Sequence, residues 1–369
     1  MSSSPTTNSS PLNVLIVGAG IGGLTASIFE AAEIKTEAGA AITVQENSMR
    51  VHDYIGVSRE NFRGVPWAGA EIMCSDGSQG MVSNGLLCHR SDMHQELMRL
   101  AVGLEGQGPP AQLHLGAKVV ACNTEEGTIT LDGGEIVRGD CILGADGIYV
   151  LRHPQPRLGF CGQPQDSGLS CFRMVLETAT VHDVPELEWL HGIESGIARS
   201  IVSKNGPLRM LGTTVTTLEE FKTTYADFHP KFLRILDLPV HNPIHKYKLR
   251  MLPTLAGWVR GRAAILGDAA HATLPLLGQG AGSAVEEAVT LGYFLPSGTL
   301  PEEVPARLRA YEEHCKPRGD FINAESVVQA EKGFSFYTSR SYRLNSLGTI
   351  RSGLQGSFPS RGSAGRYKY

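Results

Sequence analysis

The sequence predicts a protein of the α/β class, and three stretches carry that expectation. Each is a short apolar run that stops at a glycine or at a small residue and an aspartate: Val14–Val17 before Gly18, the run that ends at Asp146-Gly147, and residues 263–266 before Gly267-Asp268. Buried parallel strands read as continuous apolar runs, and the ligands of such sheets gather at the strands' carboxyl ends. The expected core is therefore a Rossmann-like sheet whose ligand-binding edge is marked three times.

Residues 13–27 read NVLIVGAGIGGLTAS. The strand runs into Gly18, Gly20 and Gly23 and then into a helical pattern, so G-x-G-x-x-G stands where a dinucleotide pyrophosphate site needs it. The first glycine allows the turn and the second the close approach of phosphate. A complete unit of this kind continues with a helix, a second strand and an acidic ribose ligand roughly 20 positions on. There is no room for these before Glu30, so part of the helix and the whole second strand are expected to be missing. Two placements of the ribose ligand stay open. One is Glu30, which a helix continuing from Gly18 carries about 18 Å along its axis, away from the ribose. The other makes residues 41–45 the second strand and Glu46 the ligand, at a spacing that is too long.

Residues 65–81 read as a hairpin around Ser75-Asp76-Gly77. A strand over 85–88 leads to His89-Arg90, after which Ser91 or Asp92 is expected to cap a helix through Ala101, with Gln95 completing a capping box. Arg90 sits at that junction, as a ligand contact or as a surface arginine. Residues 113–137 predict short antiparallel strands turned by Asp132-Gly133-Gly134. A strand over 169–176 holds Arg173 among apolar neighbours, facing outward or toward a ligand. His241 and His245 have helical metal-pair spacing, but Pro243 lies between them and no metal site is expected. Residues 263–266 lead through Gly267-Asp268 and a loop with Pro275, Gly278, Gly280 and Gly282 into a helix over 283–295. The start of that helix favours negative charge by about 0.3 to 1 kcal/mol. A last helix over 305–316 is expected to end at Lys316-Pro317-Arg318.

The chain has 369 residues and is 41% hydrophobic, enough for two domains or one large α/β domain. A formal net charge of -4 gives no general attraction to nucleic acid or acidic membranes. Seven scattered cysteines without a C-x-x-C suit reduced thiols in the cytoplasm. The first residues lack a signal-peptide pattern, and no apolar run has the length of about 18 residues that a membrane span needs. From Gly333 onward there is no acidic residue and much Gly and Ser; a disordered tail is expected, with a nucleic-acid or membrane arm as the alternative.

G-D-A-A-H at 267–271, P-x-x-G-Q-G at 275–280 and the following helix together resemble the flavin-contacting motif of single-component FAD-dependent aromatic monooxygenases, the salicylate hydroxylase and para-hydroxybenzoate hydroxylase type. The glycine motif, Gly39-Ala40-Ala41, His89-Arg90 and Asp146-Gly147 resemble further stretches of that family. The resemblance spans about residues 12 to 330 and implies a glutathione-reductase-like fold. Its parts are an FAD-binding domain over 12–150 and 251–320, an interleaved α+β substrate domain over 151–250, and a tail over 321–369. It places Gly18, Gly20, Gly23 and Asp146 near the pyrophosphate, Glu30 at the ribose, Ala41 and Ala281 beside the isoalloxazine, and Arg90 on FAD. It makes Asp268 an acceptor for the ribityl chain, and Arg173 faces substrate and flavin. The implied reaction is hydroxylation of a small aromatic compound, phenolic or salicylate-like, in secondary metabolism, with NAD(P)H reducing FAD and O2 supplying the oxygen.

Three departures qualify this. The second strand is expected to be missing, the D-G motif lacks its Ser with Arg152 one residue early, and the stretch 199–212 has no Tyr. These support a rival reading, a truncated and catalytically defective homologue. A flavin halogenase is disfavoured because Trp67, Trp189 and Trp258 form no W-x-W-x-I-P.

Overall fold

A computed structural model of the chain describes residues 11–24, 27–32, 41–67, 69–74, 79–82, 85–104, 109–148, 162–173, 178–190, 197–202, 214–226, 228–238 and 244–332. Its centre is a six-stranded sheet in the order Val259–Arg260, Ala263–Ile265, Cys141–Gly144, Val14–Val17, Ser27–Phe29, Leu113–His114. All neighbours run parallel except Val259–Arg260, which is antiparallel to Ala263–Ile265. The three apolar runs of the sequence are thus adjacent strands. Leu15, Ile16, Ile142, Ala263, Ala264 and Ile265 are almost wholly buried, as both faces of the sheet are covered. Each large apolar side chain sequestered in this way contributes about 1.5 to 3 kcal/mol.

The register explains why the glycine motifs meet. Val17 pairs with Phe29 on one side and Gly144 on the other, and Gly144 pairs with Ile265. The four strands end in one row, and the residues that follow are Gly18, Glu30, Ala145-Asp146 and Leu266-Gly267-Asp268. Only glycine fits at 18: its φ is +101°, and a Cβ there would lie 2.5 Å from the Asp146 Cα.

The expectation of a missing second strand is corrected. That strand is Ser27–Phe29, and among the described residues of the connection no crossover α-helix is found. Residues 18–26 make the whole connection, where about a dozen or more usually join parallel neighbours. Its one described helical element is a single 3-10 turn, Ile21–Gly23. Glu30 is therefore not carried along a helix axis; it follows the strand directly. The placement of residues 41–45 as the second strand is also overturned, since Ala41–Gln45 pairs antiparallel with Gly85–His89, outside the central sheet. Pairing with Val14–Val17 overrides the helical pattern of residues 24–32.

Gly85–His89 also pairs with Val65–Trp67, and Gly69–Cys74 lies between Gln79–Val82 and Ile197–Val202. The hairpin of residues 65–81 is thus narrower than expected. Helix Arg90–Val102 starts at Arg90 with His89 as its N-cap and no side-chain cap bond, so neither Ser91 nor Asp92 caps it. The Asp92 carboxylate is drawn to the Arg63 guanidinium instead. Val119–Asn123, Thr128–Leu131 and Ile136–Arg138 form the antiparallel insertion, with Gly134 in its turn. Gln165–Arg173 pairs antiparallel with Ile244–Met251, which also pairs with Thr214–Thr216.

Helix Gly280–Phe294 begins earlier than the expected residue 283 and packs on the Ile21–Gly23 turn, on helix Glu46–Tyr54 and on helix Val304–Lys332. That last helix does not stop at Pro317 but continues to Lys332. Beyond the proline Ile322 is buried, Asn323 donates to the Leu252 carbonyl at 2.8 Å, and Ser326 accepts from the Leu274 N–H at 3.2 Å. These contacts offset the roughly 3 kcal/mol that an internal proline costs. The tail from residue 333, His241, Arg152 and residues 203–212 lie outside the described residues.

Candidate active site

The row of strand ends opens into a cleft of about 950 Å³, at the upper end of the roughly 300 to 1,000 Å³ of small-molecule sites. Gly18 and Gly20 line one part of it with Ile21 and Gly22. Glu30 and Asp146 line it beside that turn, Asp268 and Gly280 line it beside each other, and Arg90, Thr273 and Ala281 also face it. Seven of the ten residues singled out in the sequence thus face one volume. The remaining three are placed differently. Gly23 is buried behind the turn, where its N–H donates to the Gly20 carbonyl at 3.0 Å. The Ala41 backbone pairs with His89, while its strand neighbours Ile42 and Thr43 reach the cleft. Arg173 ends its strand in register with His245, and its side chain lies outside the described residues.

The glycine turn is held from two sides. The Ala19 N–H donates to Glu30 Oε2 at 2.9 Å, and its carbonyl is bonded by His94 Nε2 at 2.8 Å. The second Glu30 oxygen accepts the Ala32 N–H at 3.1 Å. Two side chains on flanking elements thus fix a turn that has no long helix behind it.

Asp268 opens the one-turn helix Asp268–His271 with its surface toward the cleft, while Ala269, Ala270 and His271 point into the core. Crowding by protein atoms pushes the Asp268 carboxyl up; His271 pulls it down, Glu287 adds to the rise, and Arg90 opposes it. Burial lowers His271, but the Glu287 and Asp268 carboxylates outweigh it and raise the ring above its ordinary value. The first turn of helix Gly280–Phe294 lies beside Asp268. Free backbone N–H groups there favour a negatively charged group.

A buried polar network fixes that helix start. Gln45 donates to the Leu277 carbonyl at 2.7 Å, and Asn47 donates to Gln279 at 3.1 Å and to Glu286 at 2.6 Å. Arg318 closes the network with a fork onto Glu286 at 2.9 and 3.3 Å. Lys118, Thr43, Thr273, His94 and Glu287 were not singled out in the sequence. Lys118 enters the cleft only because the insertion folds back beside Glu30, where the Ala117 N–H donates to the Glu30 carbonyl at 2.9 Å. Among the described residues no His, Cys, Asp and Glu side chains are grouped to hold a metal ion, and no helix is long and apolar enough to cross a membrane.

A dinucleotide-sized cofactor fits these residues. A glycine turn too tight for side chains, a carboxylate at the end of the second strand and a helix N-terminus on one cleft form the donor and acceptor set that FAD needs. The fold and the cleft define a FAD-dependent monooxygenase, and the chain belongs to that family. It is 33% identical to the hispidin-3-hydroxylase of Neonothopanus nambi, an alignment that covers 86% of this chain and 88% of that one. It is 27% identical to the FAD-dependent monooxygenase cfoG of Aspergillus candidus, over 90% and 89% of the two chains. Residues 242–326 match the profile described as FAD binding domain. The fold superposes on a salicylate hydroxylase substrate complex with a TM-score of 0.73, over 96% of this chain and 100% of that one, at 20% identity. The chain is a flavoprotein monooxygenase with FAD as its cofactor.

Proposed function

We propose that the protein hydroxylates a small, electron-rich aromatic compound, phenolic in character, with NAD(P)H as reductant and O2 as the oxygen source. The observation that carries this reading is the 33% identity, over most of both chains, to a relative named as a hydroxylase of hispidin. A fungal type of secondary metabolism fits the named relatives, and a reducing cytoplasmic compartment suits the unbridged thiols of Cys88, Cys122, Cys141 and Cys315.

Bound FAD supplies the redox chemistry, including activation of O2. The chain's own residues supply placement. Gly18 and Gly20 let the backbone approach the pyrophosphate, with Asp146 across from them, and Glu30 accepts a ribose hydroxyl with the oxygen capacity left by Ala19 and Ala32. Gly23 keeps the turn closed from behind. Arg90 offers a cation to the cleft, and Asp268 accepts hydroxyls of the ribityl chain. Ala41 and Ala281 leave room beside the ring, and the helix start at Gly280 favours negative charge there. Arg173, on the strand of the 151–250 segment, holds a phenolate or carboxylate of the substrate. The segments 12–150 and 251–320 act as one cofactor-binding unit around the central sheet.

A second reading is favoured by one observation, the crossover reduced to residues 18–26: a chain that folds but holds FAD weakly. Titration of the purified protein with FAD, followed by NADH- and NADPH-dependent oxygen uptake with hispidin and salicylate as trial substrates, separates the two. Tight flavin binding with coupled product formation supports the hydroxylase. Binding only at high FAD concentration, with no product, supports the weak binder.

A further inference from the structure

We infer that Glu287 and His271 form a positioning clamp that sets the direction of the Asp268 carboxylate. The clamp rests on the reading of the cleft as the FAD site, but its geometry stands without the cofactor. Both oxygens of one buried carboxylate are used. Glu287 Oε2 accepts the Gly267 N–H at 2.7 Å, and Glu287 Oε1 lies 2.5 Å from His271 Nε2. Gly267 precedes the one-turn helix and His271 ends it, so a single side chain on helix Gly280–Phe294 grips both ends of the turn that presents Asp268.

The grip leaves little freedom. Gly267 has φ +60°, and a Cβ there would stand 3.0 Å from the Ala284 Cβ on the same long helix. The turn's internal bonds, from the Ala270 and His271 N–H groups to the Gly267 carbonyl at 2.9 and 3.0 Å, converge on this residue. Behind the ring, Trp258 stacks on His271 at 5.2 Å with the planes 29° apart, and the imidazole cannot swing away. His271 Nδ1 is buried with no hydrogen-bond partner. Glu287 thus supplies the ring's side-chain hydrogen bond, and that bond fixes its place. A four-residue turn has little stability of its own, so the direction of its one cleft-facing side chain follows from where its two ends are tied. Glu287 and His271 do not touch the cleft; they act through Asp268.

The test uses the full chain with Glu287→Leu, Glu287→Gln, Asp268→Ala and the double variant Asp268→Ala/Glu287→Leu. Two readouts are taken: FAD dissociation constants by flavin fluorescence, and amide exchange of the Gly267 N–H in cofactor-free protein. The Gln variant retains an oxygen for Gly267 and an amide for the other His271 tautomer, so it is the conservative rescue. Expected results are a roughly tenfold rise in Kd for Glu287→Leu, a rise of less than about threefold for Glu287→Gln, and a double variant no weaker than Asp268→Ala alone. Gly267 exchange accelerates at least about tenfold in Glu287→Leu and stays slow in Glu287→Gln. Losses that multiply in the double variant, or unchanged Gly267 exchange in Glu287→Leu, overturn the clamp. Accelerated exchange with no effect of Asp268→Ala on Kd upholds the grip on the turn but overturns both Asp268 as an FAD ligand and the clamp's role in placing it.

Discussion

Glu30 Oε2 accepts the Ala19 N–H at 2.9 Å, which ties the end of the second strand to the glycine turn at the end of the first. In a longer crossover a helix holds that turn; here a carboxylate does so, with His94 on the opposite side. Glu30→Ala therefore both frees the turn and removes the ribose acceptor. We expect FAD affinity to fall by about tenfold or more, with Glu30→Gln less affected because its oxygen still accepts. A flavin titration of the two variants decides; equal affinity in Glu30→Ala and the parent protein rules the tie out.

The short crossover gives a second prediction. Inserting a helix-forming segment of about ten residues between Leu24 and Ser27 leaves the strand Ser27–Phe29 in register and restores a helix N-terminus behind the phosphate site. FAD affinity and thermal midpoint should both rise. If the parent chain already binds FAD tightly and neither value moves, the single turn is sufficient.

Asp268→Ala and Arg173→Ala should separate in kind. The first removes a cleft carboxylate and weakens flavin retention. The second leaves retention within about twofold while KM for the aromatic substrate rises at least about tenfold. Gel filtration with absorbance at flavin wavelengths, followed by steady-state kinetics, reads both effects. Equal flavin loss in the two variants would contradict the assignment of Arg173.

Glu96 governs acid stability near the cleft. The Arg99 guanidinium, together with Asn61 and the Ser58 N–H, outweighs burial and holds its carboxyl at about 2. The folded state thus prefers the ionised form more than the unfolded chain does, with the unfolded value near 4.5. The resulting stability is present in full above that value and lost as pH falls through 4.5 toward 2. Glu96→Gln should lower stability at pH 7 by about 1 to 2 kcal/mol, allowing for solvent around the half-exposed Arg99, and should flatten the acid limb. Urea melts between pH 3 and pH 7 measure this.

Gly319→Ala tests the packing behind the clamp. Alanine normally improves a helix interior by about 1 kcal/mol. Here its Cβ would lie 2.4 Å from the Trp258 ring and 2.9 Å from the His271 ring. Overpacking should win, with a loss of about 1 to 3 kcal/mol in thermal or urea melts.

The parts of the fold legible in the sequence were those that local pattern dictates. Val14–Val17, Cys141–Gly144 and Ala263–Ile265 are apolar runs cut off by glycine or a small residue, and their shared role as strand ends led directly to the cleft. Ser27–Phe29 was hidden because its residues continue a helical pattern, and only pairing with Val14–Val17 makes them a strand. Pro317 misled for the opposite reason: a strong local stop signal is overridden by burial of the residues beyond it. His94 and Glu287 were illegible since each acts on a backbone atom far along the chain, 75 residues away for Ala19 and 20 for Gly267. No spacing rule registers such a contact.

The strand order has a consequence for how the chain is made. Ala263–Ile265 fills an inner position beside Cys141–Gly144, although a long intervening segment must be synthesised first. At roughly 5 to 20 residues per second, that wait is on the order of ten seconds. During it the nascent Cys141–Gly144 strand presents an open apolar edge, and such edges recruit wrong partners. Holdase chaperones should therefore engage ribosome-bound chains that end before residue 263 and release those extended well past residue 294, once the late strand and its helix have left the exit tunnel.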